Sequence, residues 1–432
     1  MNPIPAAQTG RGPIPFRLLP DTAAIETDGM LSIGGCRLDE LVAEFGTPVF
    51  IYDEAHLRAR AREAVSAFGD GVAYAAKAFL CKAMAQLAHE EGLHIDVATG
   101  GELQVALAAG VPASRLVLHG NNKSTAELAM AMAEGVGRIV IDSFDEMDRI
   151  EALVAAGATP PAVLIRITPG IEAHTHEFVQ TGQDDSKFGF GLASGAAHEA
   201  LARAKALPAY NLVGTHMHIG SQVFAVDSFH KAVALLAPTI NEFGLPEFSV
   251  GGGLGVAYVE EETSSTITEW GAAITSACRE AGITASVNAE PGRSIVAAAA
   301  VTAYTVGTIK ELPGIRTYLA VDGGMSDNPR PVLYGSGYET FLARSPLAAR
   351  ERAVRVVGKH CESGDVLVKE GFVPTDVAVD DILVTPVTGA YGHSMGSNYN
   401  KVLRPPVVFV ADGKARLVVR RETYDDLLKL DL

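Results

Sequence analysis

The stretch VAYAAKAFLCKAMAQLAHEEGLHIDVATGGELQVALAAG, residues 72–110, decides the fold of this chain. It begins with a short apolar run, continues into a segment rich in Ala and Leu, and repeats both patterns from His94 onward. A short apolar run predicts a buried strand, and a longer Ala/Leu-rich segment predicts the helix that follows it. Residues 72–110 therefore predict two successive strand–helix units of a parallel sheet.

The same alternation continues along the chain on the C-terminal side of this stretch. The predicted strands are Val72–Ala76, His94–Ala98, Leu116–His119, Arg138–Asp142, Val163–Thr168, Leu212–His218, Glu247–Val250 and Ala285–Ala289. Their span of roughly 220 residues is close to the ~250 residues typical of a (β/α)8 barrel. An open doubly wound sheet is the alternative. The regular spacing favours the barrel.

The pattern changes beyond Ser294, where strand-like runs follow one another without long helices between them. These runs are Val301–Ile309, Thr317–Val321, Val354–Gly358, Ile382–Val384 and Val407–Val410. They predict a mostly β domain, and the strand-like Leu31–Ile33 predicts that the N-terminus joins it. The expected α/β architecture is an N-terminal segment (1–45) packing with the β domain, a barrel (46–293) and a C-terminal β domain (294–432).

The composition argues against several classes of protein. The net charge of -16 leaves no basic surplus to neutralise phosphates, so a nucleic-acid binder is not expected. The apolar run Ser294–Ile309 is shorter than the ~20 residues of a membrane helix, and the N-terminus lacks the apolar core of a signal peptide. The 4 scattered cysteines form no Cys-x-x-Cys pair, which fits a reducing cytoplasm rather than a disulfide scaffold.

Polar or glycine residues stand at the end of almost every predicted barrel strand. They are Lys77, Asp96, Asn121, Asp142, Arg166, His218, Gly251–Gly253, Glu290 and Arg293. In barrels of this kind, functional groups lie at the carboxyl ends of the strands. Any one of these residues could simply mark where its strand ends. The set as a whole predicts a shared site.

Several of these positions fit a phosphorylated cofactor. Lys77 is either a snorkelling surface lysine or an amine in a cleft that can form a Schiff base. Gly251–Gly253 could cradle a phosphate, whereas Val256 breaks the dinucleotide fingerprint. Glu290 could keep a pyridine nitrogen protonated, and Arg293 could bind a phosphate or carboxylate. A tight Pro-Gly turn with a surface ion pair is the alternative for the last two residues.

Two histidine pairs and one cysteine have competing interpretations. The pairs His174/His176 and His216/His218 could each bind a metal from one face of a strand. Neither pair has an obvious third ligand, and no metal site is expected. Cys361 could be inert packing or an exposed acid–base group, and spacing alone leaves both open.

The order of several short motifs resembles that of the diaminopimelate decarboxylases, a family within the fold-type III, or alanine-racemase-like, pyridoxal-phosphate enzymes. The resemblance covers nearly the whole chain, from about Phe45 to Asn400. The motifs are Tyr-Ala-Ala-Lys at 74–77, His-Met-His-Ile-Gly-Ser-Gln at 216–222, Gly-Gly-Gly-Leu-Gly at 251–255, Glu-Pro-Gly-Arg at 290–293, Arg-Pro-Val-Leu-Tyr-Gly at 330–335, Cys-Glu-Ser-Gly-Asp at 361–365 and Gly-Ala-Tyr at 389–391. The chain departs from the family pattern after Tyr391 and after Gly335, which is followed by an unusual Ser-Gly-Tyr.

The resemblance implies pyridoxal 5'-phosphate as the cofactor and a role for each candidate residue. Lys77 is the Schiff-base lysine, and Cys361 is the general acid that protonates the α-carbon. His218 stacks on the cofactor ring, and Glu290 faces its pyridine nitrogen. The remaining cofactor-binding residues are Asp96, Arg166, Ser221, Gly252, Gly253, Gly292, Arg293 and Tyr391. The substrate-binding residues are Arg293, Arg330, Tyr334, Glu362 and Tyr391.

The distal recognition residues indicate the substrate. Arg330 with Tyr334 suits the distal carboxylate of meso-2,6-diaminopimelate, and Glu362 suits its distal ammonium. The expected reaction is decarboxylation of meso-diaminopimelate to L-lysine and CO2, the last step of lysine biosynthesis. An ornithine or arginine decarboxylase of the same fold remains an alternative.

The resemblance also implies a homodimer whose active site is shared across the interface. In this family, the positions that match Cys361 and Glu362 reach the active site of the neighbouring subunit. Lys187 and Asp365 match positions that pair across that dimer in related decarboxylases. Two alternatives from other classes stay open. One is a non-catalytic regulatory homologue, although such proteins typically lose the lysine or the cysteine. The other is a barrel hydrolase that uses buried carboxylates.

Overall fold

The computed structural model describes residues 10–170, 185–224 and 226–432. Contacts within the chain divide it into two compact units. The barrel unit comprises residues 58–256 and 264–295, and the β unit comprises residues 1–57, 257–263 and 296–432.

The barrel unit is built on parallel strands that neighbour one another in chain order. Their bounds are Ala73–Ala75, His94–Val97, Leu116–Leu118, Arg138–Ile141, Ala162–Thr168, Asn211–His216, Glu247–Ser249 and Ser286–Asn288. The first and last strands also meet, because Ala73 donates its N–H to Ala289 O at 2.9 Å and Ala75 donates to Pro291 O at 3.1 Å. The predicted eight-stranded barrel is thus confirmed, and each strand lies where the sequence placed it.

Helices follow the barrel strands, and side-chain caps fix where several of them begin. The helices are Lys82–Glu90, Gly100–Ala108, Thr125–Glu134, Phe144–Ala155, Ala196–Ala206, Asp227–Phe243 and Ile267–Glu280, with Glu54–Phe68 before the first strand. Ser124 accepts a hydrogen bond from Glu127 N, and the Glu127 carboxylate accepts one from Ser124 N. Thr266 and Glu269 form the same capping box. Each box satisfies N–H groups that a helix start leaves unpaired, so the strand ends next to them stay fixed.

The barrel interior contains an apolar layer beneath the polar strand ends. Ala73, Val117, Val140 and Leu164 form one buried cluster, against which Val213 packs. Val117, Val140, Leu164 and Val213 lie on consecutive strands, whereas the strand of Ala73 pairs with none of theirs, so Ala73 meets them across the interior. The layer closes the middle of the barrel, and the polar groups are therefore collected at its carboxyl end.

The β unit is organised around one long strand, Ala300–Leu312. Its first part pairs with Val49–Asp53 and Ile382–Pro386, and its second part pairs with Arg316–Val321. The other strands of this sheet are Phe341–Leu342, Arg352–Val357, Val366–Val373, Val407–Ala411 and Lys414–Val419. A separate small sheet consists of Ala24–Ile25, Leu31–Ile33 and Cys36–Arg37, and short helices lie at Leu38–Phe45, Arg330–Tyr334 and Tyr424–Leu428. The predicted mostly β domain, including the strand at Leu31–Ile33, is confirmed.

Some strands of the β unit were not predicted. Val366–Val373 and Lys414–Val419 contain charged residues that interrupt their apolar pattern. Val49–Asp53 lies within the range 46–293 that the sequence assigned to the barrel, but it pairs with Ala300–Leu312 and with Val407–Ala411. All of its residues are buried, and a fully buried strand has the same sequence pattern in either kind of sheet.

The N-terminal segment is tied to the β unit by backbone hydrogen bonds. Leu31 N donates to Ala343 O at 2.9 Å, and Arg11 exchanges two hydrogen bonds with Arg350. Within the described residues, the structure contains no helix that is both long and apolar enough to cross a membrane.

Candidate active site

Lys77 lies at the carboxyl end of the first barrel strand, in a short 3-10 turn over Ala76–Ala78. The flanking alanines are buried, whereas Lys77 itself is exposed. Tyr74 secures the turn by donating its hydroxyl hydrogen to Phe79 O at 2.6 Å. Gly292 allows the last strand end to approach the turn, because a Cβ at Gly292 would lie 2.9 Å from Ala75 O. The lysine amine is thus presented from a rigid, closely packed strand end.

Glu290 lies among polar side chains from other strand ends. Its Oε2 is 2.9 Å from Nε2 of His216, and its Oε1 accepts a hydrogen bond of 2.8 Å from the Ser249 hydroxyl. His119 Nε2 lies 3.4 Å from Glu290 Oε1 and 3.8 Å from Asp96 Oδ1. Every member of the group is buried. Because a buried carboxylate must be compensated, this group is built to hold a charge.

The protonation states of the group follow from burial and from its internal partners. Burial would raise the pKa of Glu290, but the nearby His216 and His119 outweigh burial and hold that pKa well below its usual range. Burial lowers the pKa of His216 to about 4, which leaves this ring neutral at pH 7. Burial opposes the charge of His119 too, but Asp96 and Glu290 raise its pKa. Glu290 is therefore an ionised carboxylate at neutral pH.

The loop after the seventh strand is closely packed at all of its glycines. A Cβ at Gly251 would lie 2.4 Å from Met217 O, at Gly252 2.3 Å from Glu290 O, and at Gly253 2.2 Å from Gly220 O. Gly251 N donates to Ser249 Oγ and Gly252 N to His218 Nδ1. Two of the three N–H groups of this loop are therefore used within the chain. Close backbone packing and these hydrogen bonds therefore fix the loop beside the neighbouring strand ends.

Two buried arginines and His218 complete the barrel-unit group. Arg293 Nη2 donates to Ser221 Oγ at 2.9 Å. Arg166 lies 3.5 Å from an Asp142 carboxylate oxygen and stacks on the Phe188 ring at 4.4 Å. Burial, and then the positive charges of Lys77 and Arg166, hold the pKa of His218 well below its usual value. The predicted strand-end residues thus influence one another electrostatically, as a shared site requires.

Of the two histidine pairs considered as metal ligands, only His216/His218 lies in the part of the chain that the structure describes. His174 and His176 lie outside the described residues. His216 and His218 do not act as a pair, because His216 contacts Glu290 and His218 accepts from Gly252 N. His119, His216 and Glu290 place ligand atoms within 4.8 Å of one another. However, the hydrogen bond from His216 to Glu290 requires a proton on the nitrogen that a metal would use.

The β unit carries the other predicted site residues. Cys361 and Glu362 are exposed, and their loop is fixed by hydrogen bonds at both sides. Cys361 N donates to Asn400 Oδ1 at 2.9 Å, and Asp365 accepts from Met325 N and His360 N. Asp365 is only 2% exposed and already has these partners in its own chain. Its pairing with Lys187 across a dimer stays a prediction.

Tyr391 lies in a tightly held loop of the β unit. Its φ angle of 62° is left-handed, as is that of Val387 at 60°. Tyr52 donates to Gly389 O at 2.7 Å, and a Cβ at Gly389 would lie 1.8 Å from Val296 O. Left-handed backbone at bulky residues persists only where the surroundings impose it, so the position of Tyr391 is set by this packing.

Comparison with known proteins identifies the family. The family described as pyridoxal-dependent decarboxylase, pyridoxal binding domain, matches residues 54–297. Diaminopimelate decarboxylase of Mycobacterium tuberculosis is 45% identical over 425 residues, covering 94% of this chain and 95% of that protein. The Bacillus subtilis enzyme of the same name is 45% identical over 420 residues, with 94% and 95% covered. The chain belongs to the diaminopimelate decarboxylase family.

Solved structures of the diaminopimelate decarboxylase family agree with this fold. A structure of the M. jannaschii enzyme in co-complex with L-lysine has a TM-score of 0.88 at 30% identity, covering 95% of this chain and 98% of that chain. The Helicobacter pylori enzyme complexed with L-lysine has a TM-score of 0.84 at 30% identity, covering 91% and 98%. A Vibrio vulnificus lysine/ornithine decarboxylase shares the fold at 22% identity, with 87% and 97% covered and a TM-score of 0.72.

The barrel fits the pyridoxal phosphate that this decarboxylase family uses. Lys77 is an exposed amine at the strand ends, and Glu290 is a buried, ionised carboxylate that suits a pyridine nitrogen. Arg293 and the Ser221 hydroxyl, beside the closely packed Gly251–Gly253 loop, suit a phosphate group. Each part of the cofactor therefore has a matching group in the barrel unit.

Several residues that the structure brings forward were missed in the sequence. His119 directly follows the strand Leu116–Leu118, whereas the sequence pattern predicts Asn121 as the site residue of that strand end. Ser249 is the last residue of its strand, and the pattern predicts no site role for it. Tyr258 and Tyr338 were not singled out, although Tyr338 belongs to the unusual Ser-Gly-Tyr that follows Gly335. The first polar residue after each apolar run was the available signal for His119.

Proposed function

We propose that this chain removes one carboxylate from meso-2,6-diaminopimelate and releases L-lysine and CO2, with pyridoxal 5'-phosphate as its cofactor. The observation that carries the proposal is the ionised Glu290, held inside the barrel by His216, His119 and Ser249. A carboxylate at a pyridine nitrogen keeps that nitrogen protonated and strengthens the ring as an electron acceptor. When bound, the cofactor supplies this acceptor for the negative charge left at the α-carbon.

The residues of the barrel unit position the reacting groups. Lys77 attaches the cofactor covalently through its amine, and His218 packs against the ring. Ser221, Gly252, Gly253 and Arg293 hold the phosphate, while Asp96, Arg166 and Gly292 complete the pocket around it. These assignments are supported by the burial and contacts of the strand-end residues.

The residues of the β unit bind substrate and move the final proton. Cys361 donates a proton to the α-carbon after CO2 has left. Arg330 and Tyr334 bind the distal carboxylate, Glu362 binds the distal ammonium, and Tyr391 contacts the cofactor. The exposed position of Cys361 and Glu362 supports a role in the active site of a partner subunit.

A decarboxylation assay tests the reaction directly. CO2 release is measured from meso-diaminopimelate, L-ornithine and L-arginine, with and without added pyridoxal phosphate. We expect turnover of meso-diaminopimelate alone, dependent on the cofactor. Preference for ornithine or arginine would replace the proposed substrate, and equal CO2 release from colourless, cofactor-free protein would contradict the proposed role of the cofactor.

We also propose a homodimer whose two active sites are shared between subunits. Mixing Lys77→Ala protein with Cys361→Ala protein tests it, because a mixed dimer regains one complete site. Random exchange of subunits should restore about a quarter of the wild-type activity. No recovery after confirmed exchange would place both residues in the same subunit's site.

The cytoplasm is the proposed location of the protein. Its support is that Cys36, Cys81, Cys278 and Cys361 are all free thiols, as expected in a reducing compartment.

A further inference from the structure

Arg330 of the β unit is a buried cation that has no acidic partner in the part of the chain that the structure describes. Its side chain is only 4% exposed, and among the described residues no carboxylate lies within salt-bridge distance of its guanidinium. Its Nε also has no hydrogen-bond acceptor there. Buried charges in proteins are normally paired. The guanidinium is therefore prepared for a counter-ion that comes from a ligand.

Two buried tyrosines fix the orientation of this guanidinium. Its central carbon lies 4.0 Å from the ring centroid of Tyr258, within the range of a cation–π contact. In addition, Arg330 Nη1 donates to the hydroxyl oxygen of Tyr338 at 2.6 Å. The two rings meet edge to face, with centroids 5.3 Å apart. Both partners are neutral, so they orient the positive charge without cancelling it.

An ion cluster ties together the two chain segments that carry these tyrosines. Glu260 N donates to Glu339 Oε1 at 3.1 Å, which ties the segment of Tyr258 to the segment of Tyr338. Arg350, only 1% exposed, lies 2.7 Å from Glu339 Oε2 and 3.3 Å from Glu260 Oε2. Arg11 forms a further salt bridge to Glu339 from the N-terminal segment. The spacing between the tyrosines is therefore set by four charged residues.

We infer that Tyr258 and Tyr338 are positioning residues that make this enzyme specific for a substrate whose distal end is an α-amino acid rather than a simple amine. They act through Arg330, whose charge they keep oriented and available to a carboxylate. An acid in either position would neutralise that charge and favour a bare distal ammonium instead. This inference rests on the proposed function, because it concerns the distal group of that substrate.

The reaction product offers a binding test that needs no turnover. L-lysine retains the distal amino-acid group of diaminopimelate, whereas cadaverine has the same chain without any carboxylate. Dissociation constants of both ligands are measured by titration calorimetry on the cofactor-loaded protein. The relevant quantity is the ratio of the two constants, because a general loss of folding or cofactor affects both ligands alike.

The decisive variant is Tyr338→Phe, which keeps the ring and removes the hydroxyl oxygen that accepts from Arg330. We expect it to weaken L-lysine on the order of tenfold and to leave cadaverine unchanged. Tyr258→Leu should have the same sense of effect, from loss of the ring face. The matched control is Tyr318→Leu, which removes a half-buried tyrosine beside the exposed Arg316 of the same unit. It should leave the ratio unchanged.

A double-mutant cycle separates positioning from a direct role. In an Arg330→Lys background, the planar guanidinium is absent, and Tyr338→Phe should add little to the loss of L-lysine binding. Additive losses, or an unchanged ratio in both tyrosine variants, would overturn the inference. Wild-type protein that fails to decarboxylate meso-diaminopimelate contradicts the proposed function instead, and the calorimetric ratio still reports on the tyrosines.

Discussion

Glu290 of the barrel unit and Arg330 of the β unit are two buried charges with opposite surroundings. In the barrel unit, the Glu290 carboxylate is surrounded by two imidazoles and a hydroxyl group, so its charge is compensated within the protein. In the β unit, Arg330 is equally buried, but its described neighbours are neutral phenols. A compensated charge keeps one protonation state, whereas an uncompensated charge attracts a ligand. We expect this difference to separate groups that serve the reaction from groups that serve recognition.

The strongest test of this comparison is removal of the reactive amine from the barrel unit. Lys77→Ala should lower kcat by more than about 10⁴-fold, because the amine proposed to anchor the cofactor is lost. Borohydride reduction followed by peptide mass spectrometry should fix the cofactor on residue 77 of the wild type and not of the variant. Lys82→Ala, at the exposed start of the next helix, is the control. Cofactor fixed at another lysine would move the reaction centre elsewhere.

Cys361→Ala tests whether chemistry is confined to the barrel unit. We expect cofactor absorbance to be retained and kcat to fall by about 10² to 10⁴-fold, the usual contribution of a general acid. In that case the β unit donates one proton in the reaction in addition to binding the substrate. Ser363→Ala in the same exposed loop should be nearly neutral. Normal turnover in Cys361→Ala would remove its role as an acid.

The ion cluster of Arg11, Glu260, Glu339 and Arg350 should contribute strongly to the stability of the β unit. Glu339→Gln leaves Arg350 buried with one charged partner fewer and should lower the free energy of unfolding by about 3 kcal/mol. Urea denaturation measures this loss. Glu311→Gln breaks a surface pair with Arg352 and should cost less than about 1 kcal/mol. Equal effects of the two variants would mean that burial gives the cluster no special weight.

The same contrast explains what the sequence could predict. Barrel strand ends recur at regular intervals along the chain, so the sequence alone predicts that Lys77, Asp96, Arg166 and Glu290 lie on one rim. The internal partners of Glu290 could not, because His119 and His216 meet it across the sheet rather than along the chain. In the β unit, Tyr258 and Tyr338 are separated by many residues and lie outside regular strands. No sequence periodicity connects them, and only the folded structure shows that both contact Arg330.

The smallest expected effect concerns the pH dependence of the barrel group. Because His216 and His119 hold the pKa of Glu290 below its usual value, the carboxylate stabilises the fold above that usual value, and this contribution is lost as the pH falls through the lower, native pKa. His216→Leu removes one hydrogen-bond donor, so Glu290 should become protonated at a higher pH. The acid limb of the kcat/KM profile should therefore move upward, so that activity on that limb is about tenfold below the wild type at the same pH.

His216→Gln provides the matched control for this shift, since its amide can still donate to Glu290. It should restore much of the wild-type acid limb, whereas His216→Leu should not. The melting temperature, followed over the same pH range, should fall at a higher pH in the leucine variant than in the wild type. If both variants show the wild-type profile, Glu290 is ionised without help from His216. Its charge would then be compensated by His119 and Ser249 instead.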